Sequence, residues 1–227
     1  MKVSKVASTT DYPLVVYTNS CTDFKAIILL LHGYSEEGQT IYKRLNDHLP
    51  QDHLVVAVDG LFPLVDRFPL DTKPTDKKLL RGYAWYFYDA VHDKYLIDYD
   101  VAASALNSLL TTLNPQQKEI TIIGYSQGGY LAPFIAAKNK NASYVIGVNC
   151  SYRHDLFPQN FWDRNIRVDA IQAEDDPIID IESSKERHSH LNGNFDLIPN
   201  ENHRLSKNLC KIIGRYVHTY SEHCSKV

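Results

Sequence analysis

The stretch EITIIGYSQGGYLAPFIAAK, residues 119–138, holds two patterns that meet at one serine. Residues 119–125 are β-rich and apolar on both faces, as in a strand buried within a parallel sheet. Residues 127–138 read as a helix. Between them, Gly124-Tyr125-Ser126-Gln127-Gly128 fits GxSxG, the pattern of a nucleophile elbow. Such an elbow turns a strand sharply into a helix and holds its middle residue in a strained conformation. Side chains two residues before and after collide in that turn, so both positions must be small. One local feature disagrees: Pro133 lies seven residues into the helix, where proline is expected to kink it. The triplet Gly-Tyr-Ser also occurs at Gly33-Tyr34-Ser35, but there the fifth position is Glu37. Ser126 is therefore the candidate nucleophile.

The flanking sequence repeats the alternation of strand and helix. AIILLLH (26–32) and HLVVAVD (53–59) are short apolar strands, and Ile41, Leu45 and Leu49 lie four apart on one side of a helix over 38–49. Asp98 is placed to cap a helix whose apolar positions Val101, Ala105, Leu109 and Leu113 also step by four before Pro115. ASYVIGV (142–148), IRVDAIQA (166–173) and NFDLIP (194–199) follow as strands, with an irregular segment from Cys150 to Asn165. A terminal helix carries Leu205, Leu209, Ile212, Ile213, Tyr216, Val217 and Tyr220 on one stripe. From Gly60 to Asp93 no regular pattern is found; the segment holds three prolines and the aromatic cluster GYAWYFYDA (82–90). Strands alternating with helices predict one mostly parallel sheet covered on both faces, as a single domain over residues 1–227 without a large cap. In such sheets functional residues sit beyond the carboxyl ends of the strands.

The 227 residues are 44% apolar, enough for one sizeable core, and carry a net charge of −3. No basic field exists to hold nucleic acid or an anionic membrane surface. No apolar run approaches the ~18 residues of a membrane span. The N-terminal MKVSKVASTT lacks the apolar core of a secretory signal. Four cysteines without CxxC spacing read as free thiols in a reducing compartment, which points to a cytoplasmic protein. No histidine stands in a zinc-binding spacing, so neither metal nor cofactor is expected.

A serine hydroxyl needs a base to take its proton and a carboxylate to orient that base, in the chain order Ser, acid, His. Of His188, His190, His203 and His218, only His203 falls between the last strand and the last helix. His188 and His190 are expected on the surface of a helix, and His218 lies deep in the last one. The acid is expected after strand 166–173, where Glu174, Asp175 and Asp176 stand in a row. Burying all three is costly, so at most one points inward. The first Gly-Tyr-Ser supplies a different part. In LLLHGY a strand ends in His32-Gly33-Tyr34, and the turn at Gly33 aims the Tyr34 N–H at the oxyanion of an acyl-transfer intermediate. The Gln127 N–H, after the nucleophile, is the second donor. Ser35 is read as a bystander.

LLHGYSEEG, GYSQGG, DDPI and NENH, in this order and at these separations, resemble the phospholipase/carboxylesterase branch of the α/β-hydrolases, which includes the acyl-protein thioesterases. The likeness runs from about residue 25 to 220, and SQGG at 126–129 is its most specific piece. In that branch the elbow reads G-F-S-Q-G-G, with phenylalanine where this chain has Tyr125. The acid there precedes the proline of D-x-D-P, which implies Asp176, with Asp175 as the runner-up; the late histidine implies His203. The branch has H-G before D-x-D-P, where this chain has Gln172-Ala173-Glu174. The resemblance implies an α/β-hydrolase fold and a cofactor-free serine esterase acting on small-molecule or acyl-chain esters and thioesters. Trp85, Tyr86, Phe87, Phe157 and Trp162 are candidates to line its acyl pocket, though such aromatics are more often plain core. Two rival readings follow: a hydrolase-fold binding protein whose site is blocked by Tyr34 or the 60–95 loop, and a triad hydrolase acting on peptides or lactones.

Overall fold

The computed structural model describes residues 13–65 and 80–224. In chain order the strands are β1 (Val16–Thr18), β2 (Ile27–Leu31), β3 (Leu54–Val58), β4 (Phe62–Val65), β5 (Leu80–Ala84), β6 (Phe87–Asp89), β7 (Lys94–Ile97), β8 (Ile120–Tyr125), β9 (Ala142–Val148), β10 (Arg167–Ala173) and β11 (Phe195–Ile198). The helices are α1 (Gly38–Leu45), α2 (Tyr99–Leu113), α3 (Gln127–Lys138), α4 (Gln159–Trp162), α5 (Ile181–His188) and α6 (Lys207–Cys224). Seven strands form one sheet in the order β1-β3-β2-β8-β9-β10-β11. Only the edge pair β1–β3 is antiparallel; the other pairings are parallel.

The continuous apolar strands β2, β3 and β8 need cover on both sides, and period-two alternation divides each between two cores. Ile27, Leu29 and Leu31 pack with Leu106, Leu110, Leu131 and Ile135 of α2 and α3. Ile28 and Leu30 pack with Ile41 and Leu45 of α1 and Leu209, Ile213 and Val217 of α6. Asp98 caps α2, its carboxylate accepting the Asp100 N–H at 3.0 Å. α3 runs unbroken through Pro133, which is buried. The ring removes one N–H, so the loss is confined to the Gly129 carbonyl four residues earlier. No helix among the described residues is long and apolar enough to cross a membrane. Cys21, Cys150 and Cys210 are free thiols.

Along α2 the buried residues include Ala102, Ala103, Leu106 and Leu110, one position on from the expected stripe, of which Ala105, Leu109 and Leu113 are partly buried and Val101 is exposed. Two further expectations need correction. The segment 60–93 is not irregular where it is described: β4 pairs with β5 and β6 with β7, both antiparallel, as two small hairpins outside the main sheet. These strands are three to five residues long. Runs so short, one of them interrupted by Pro63, carry too little alternation to register as strands. Residues 66–79, part of the same expectation, lie outside the described residues. The other correction is His188, which is buried rather than on the surface, and whose Nε2–H donates to the Val168 carbonyl at 2.8 Å. Ser184 and His188 form the inward i, i+4 pair of an otherwise polar α5. His190 is exposed, as expected.

Candidate active site

β8 ends at Tyr125, and the chain enters α3 through Ser126, whose backbone sits at φ 48°, ψ −117°. A side chain at φ > 0 is strained outside glycine, and this one is held by neighbours that permit nothing else. A Cβ on Gly124 meets the Gly128 carbonyl oxygen at 2.3 Å, and one on Gly128 meets the Leu31 carbonyl oxygen at 2.5 Å. The two glycines of GxSxG are thus steric requirements of the turn. The Ser126 N–H donates to Val148 O at 2.8 Å, tying the elbow to β9.

The structure brings the three expected side chains together. Ser126 Oγ lies 2.9 Å from His203 Nε2, and His203 Nδ1 lies 2.7 Å from Asp176 Oδ2. Asp176 is buried while Glu174 and Asp175 are exposed, so one carboxylate of the three turns inward. Its Oδ1 accepts the N–H groups of Ile178 at 2.8 Å and Ile179 at 3.1 Å. Its Oδ2, besides facing His203, accepts from Gln172 Nε2 at 3.2 Å. Four donors therefore fix the orientation of this carboxylate. In the sequence Gln172 stands out only as a departure from a motif; nothing in its spacing points to Asp176.

The first Gly-Tyr-Ser loop adjoins the elbow. A Cβ on Gly33 lies 2.9 Å from Tyr125 Cε1 and 3.4 Å from Ser126 Cβ. The Gly33 N–H donates to Glu36 Oε2 at 3.3 Å, the Ser35 N–H to Tyr83 O at 2.9 Å and the Glu36 N–H to Gly33 O at 3.2 Å. The Tyr34 N–H has no partner among the described residues. Tyr34 is 56% exposed. Gln127 is the first residue of α3, where an N–H has no carbonyl inside the helix to bond. Its side chain bonds elsewhere, with Oε1 accepting the Trp85 N–H at 2.9 Å and Nε2 donating to Tyr86 O at 2.9 Å. Trp85 and Tyr86 are thereby fixed against the elbow. Trp85 is fully buried, and its Nε1–H donates to His32 O at 2.9 Å beneath the loop. Of the aromatic candidates, Trp85, Tyr86 and Phe157 are core, Phe87 is half-buried, and Trp162 is exposed at 42% while packing on Phe161.

His32 is fully buried between two backbone groups of this loop system. Its Nε2 accepts the Gly60 N–H at 2.9 Å, so the proton resides on Nδ1, which donates to Gly33 O at 2.7 Å. Burial pushes its pKa below the ordinary 6.5, and burial does the same to His188. Both are neutral in the folded state and take up protons on unfolding, so stability rises with pH wherever the unfolded chain binds more protons. Their contribution is full above about 6.5 and is lost as pH falls from there toward the folded values. Urea unfolding at pH 7.5, 6.5 and 5.5 is expected to show this loss, at no more than ~1.4 kcal/mol per pH unit for each histidine. A midpoint that is flat or rises on acidification contradicts the assignment.

A second Ser–His–Asp chain lies at the opposite end of the sheet and serves as an internal comparison. Ser221 Oγ is 3.2 Å from His53 Nε2, and His53 Nδ1 is 2.8 Å from Asp52 Oδ1, beside a cavity of about 330 Å³. Ser221 lies within α6, near its carboxyl end, with no elbow. Helical N–H groups there are spent on intrahelical bonds, and the dipole at that end disfavours a developing anion. Asp52 is also paired with Lys25 at 2.6 Å. The distances alone do not distinguish the two chains; the strained turn at Ser126 and the Gly33 loop that adjoins it do.

A mostly parallel sheet with helices on both faces, bearing its strained serine at a strand-to-helix elbow, defines an α/β-hydrolase. The chain belongs to the serine hydrolase (FSH1) family, whose profile matches residues 22–151, more than half of its length. That span contains His32, Gly33, Tyr34, Ser126 and Gln127; Asp176 and His203 lie beyond it. Similar solved structures include esterase PE8, at 16% identity over 92% of this chain and 99% of that one, with a TM-score of 0.69. The acyl-protein thioesterase 2 of Zea mays is 16% identical over 90% of this chain and 98% of that one, with a TM-score of 0.68. The Bacillus cereus carboxylesterase is 15% identical over 91% and 94%, with a TM-score of 0.64. At such identities these three share the fold. A search of curated protein sequences gives no significant match.

Proposed function

We propose that this chain is a serine esterase that cleaves carboxylic ester or thioester bonds of small-molecule or acyl-chain substrates through an acyl-enzyme. The observation that carries this reading is Ser126 Oγ, raised on a strained elbow and 2.9 Å from His203 Nε2. Ser126 attacks the carbonyl carbon while His203 Nε2 takes its proton. Asp176 holds the proton on Nδ1 and stabilises the imidazolium that forms. The N–H groups of Tyr34 and Gln127 receive the oxyanion, a contribution of about 10²–10³ in rate for each such donor. His203 passes its proton to the departing alcohol or thiol, and the serine ester remains. Water deprotonated by His203 then attacks the ester, His203 returns that proton to Ser126 Oγ as the acyl bond breaks, and the carboxylic acid departs.

That proteins of this fold include an esterase, an acyl-protein thioesterase and a carboxylesterase supports the choice of ester over amide substrates. Turnover of p-nitrophenyl esters from acetate to octanoate, beside a panel of peptides, tests it. Ester turnover with inert peptides is expected, at a kcat within the roughly 1–10³ s⁻¹ usual for enzymes. Peptide cleavage with inert esters overturns the substrate class.

A further inference from the structure

We propose that Tyr125 and Asn149 are positioning residues that hold the His203 imidazole against Ser126 by bonding the backbone of the histidine loop. This inference rests on the triad reading above. His203 lies between β11 and α6, outside any strand or helix, so no ladder fixes it. Its loop is instead laid across the carboxyl ends of three adjacent strands. The Asp175 N–H, after β10, donates to Glu201 O at 2.9 Å. Asn149 Nδ2, after β9, donates to Asn202 O at 3.1 Å. The Tyr125 hydroxyl, at the end of β8, donates to His203 O. Three consecutive carbonyls are thus each tied to a different strand end, and two of the three ties are side chains.

Both side chains are themselves over-determined. Tyr125 is buried, with its ring against Gly33 on one side and 5.8 Å from the His203 ring on the other. Burial pushes its pKa up to about 12, so the hydroxyl keeps the proton it donates. It also departs from the phenylalanine of the resembling elbow, which has no hydroxyl to offer. Asn149 is fully buried at φ 49°, a conformation that asparagine tolerates better than most residues. Its N–H donates to Ile171 O at 3.0 Å, and its Oδ1 accepts the Ala173 N–H at 2.9 Å. With Nδ2 on Asn202 O, one residue links β9, β10 and the histidine loop. Glycine at this position relieves the backbone and loses both side-chain bonds.

Two near-isosteric substitutions test the inference. Tyr125→Phe removes one oxygen. Asn149→Asp keeps the shape and the bond to Ala173 but sets a carboxylate oxygen against the Asn202 carbonyl. The readouts are the rate of fluorophosphonate labelling at Ser126 and the kcat and KM for p-nitrophenyl acetate, each in wild-type and His203→Ala backgrounds. Tyr125→Phe is expected to lower the labelling rate and kcat about 3- to 10-fold with KM unchanged. Asn149→Asp is expected to lower them about 10- to 100-fold. In the His203→Ala background neither is expected to lower the residual rate further. Losses that persist undiminished in that background assign the two residues to general packing and overturn the inference, as do unchanged rates in both backgrounds. Failure of the triad reading looks different: His203→Ala alone then matches wild type. If Asn149→Asp does not fold, Tyr125→Phe carries the test alone.

Discussion

Ser126→Ala is expected to lower kcat for ester turnover by about 10⁴- to 10⁶-fold, His203→Ala by a similar factor, and the double variant by no more than either. The two side chains perform one step, since the hydroxyl 2.9 Å from Nε2 is a useful nucleophile only while that nitrogen accepts its proton. Removing either one removes the step, and what remains is the binding and oxyanion stabilisation that both singles retain. Steady-state kinetics of the three variants, with far-UV circular dichroism to establish folding, check this. Losses that multiply show that the residues act separately. Ser221, His53 and Asp52 are intact in all three variants, so turnover near the wild-type level in Ser126→Ala locates the chemistry at the opposite end of the sheet.

The second large effect is expected from Asp176→Asn, a loss of about 10⁴-fold in kcat with the fold retained. The direction follows from the two N–H groups on Oδ1. Ile178 and Ile179 at 2.8 and 3.1 Å demand an acceptor there, so the asparagine oxygen takes that place. Its NH₂ then faces His203 Nδ1, which becomes an acceptor, and the imidazole proton moves to Nε2. That tautomer presents an N–H to Ser126 and has no lone pair to receive the serine proton. Gln172 Nε2, at 3.2 Å from Oδ2, loses its acceptor as well. Asp175→Asn is the control: Asp175 is exposed, and its substitution is expected to change kcat by less than about 3-fold. Equal losses in the two variants contradict the assignment of Asp176.

Some of this site is legible in sequence because steric rules write it there. The elbow is of that kind, since the Gly128 carbonyl leaves no room for a side chain at residue 124. His203 follows from chain order: one histidine falls between the last strand and the last helix. Asp176 does not follow from spacing, because three adjacent carboxylates differ only in which turns inward, and tertiary packing sets that. The resemblance to a known branch of hydrolases points to it; the composition does not. Gln172, the amide of Gln127, Tyr125 and Asn149 are less legible still. Gln127, Tyr125 and Asn149 bond groups tens of residues away, Gln172 bonds Asp176 four residues on, and a polar residue beside an apolar strand looks the same whether or not it has such a partner. The hairpins within 60–97 escape a reading by periodicity because strands of three to five residues hold barely two periods of alternation. His188 escapes it because a single inward polar pair, Ser184 and His188, leaves no apolar stripe on α5.

The most direct measurement is to treat the folded protein with a fluorophosphonate and map the adduct by mass spectrometry. One adduct per chain on Ser126 is predicted, forming at a rate that falls by orders of magnitude in His203→Ala and in Asp176→Asn. Well-folded protein that stays unmodified, or an adduct on Ser221 or any other residue in place of Ser126, contradicts the proposal that Ser126, His203 and Asp176 work as one catalytic unit.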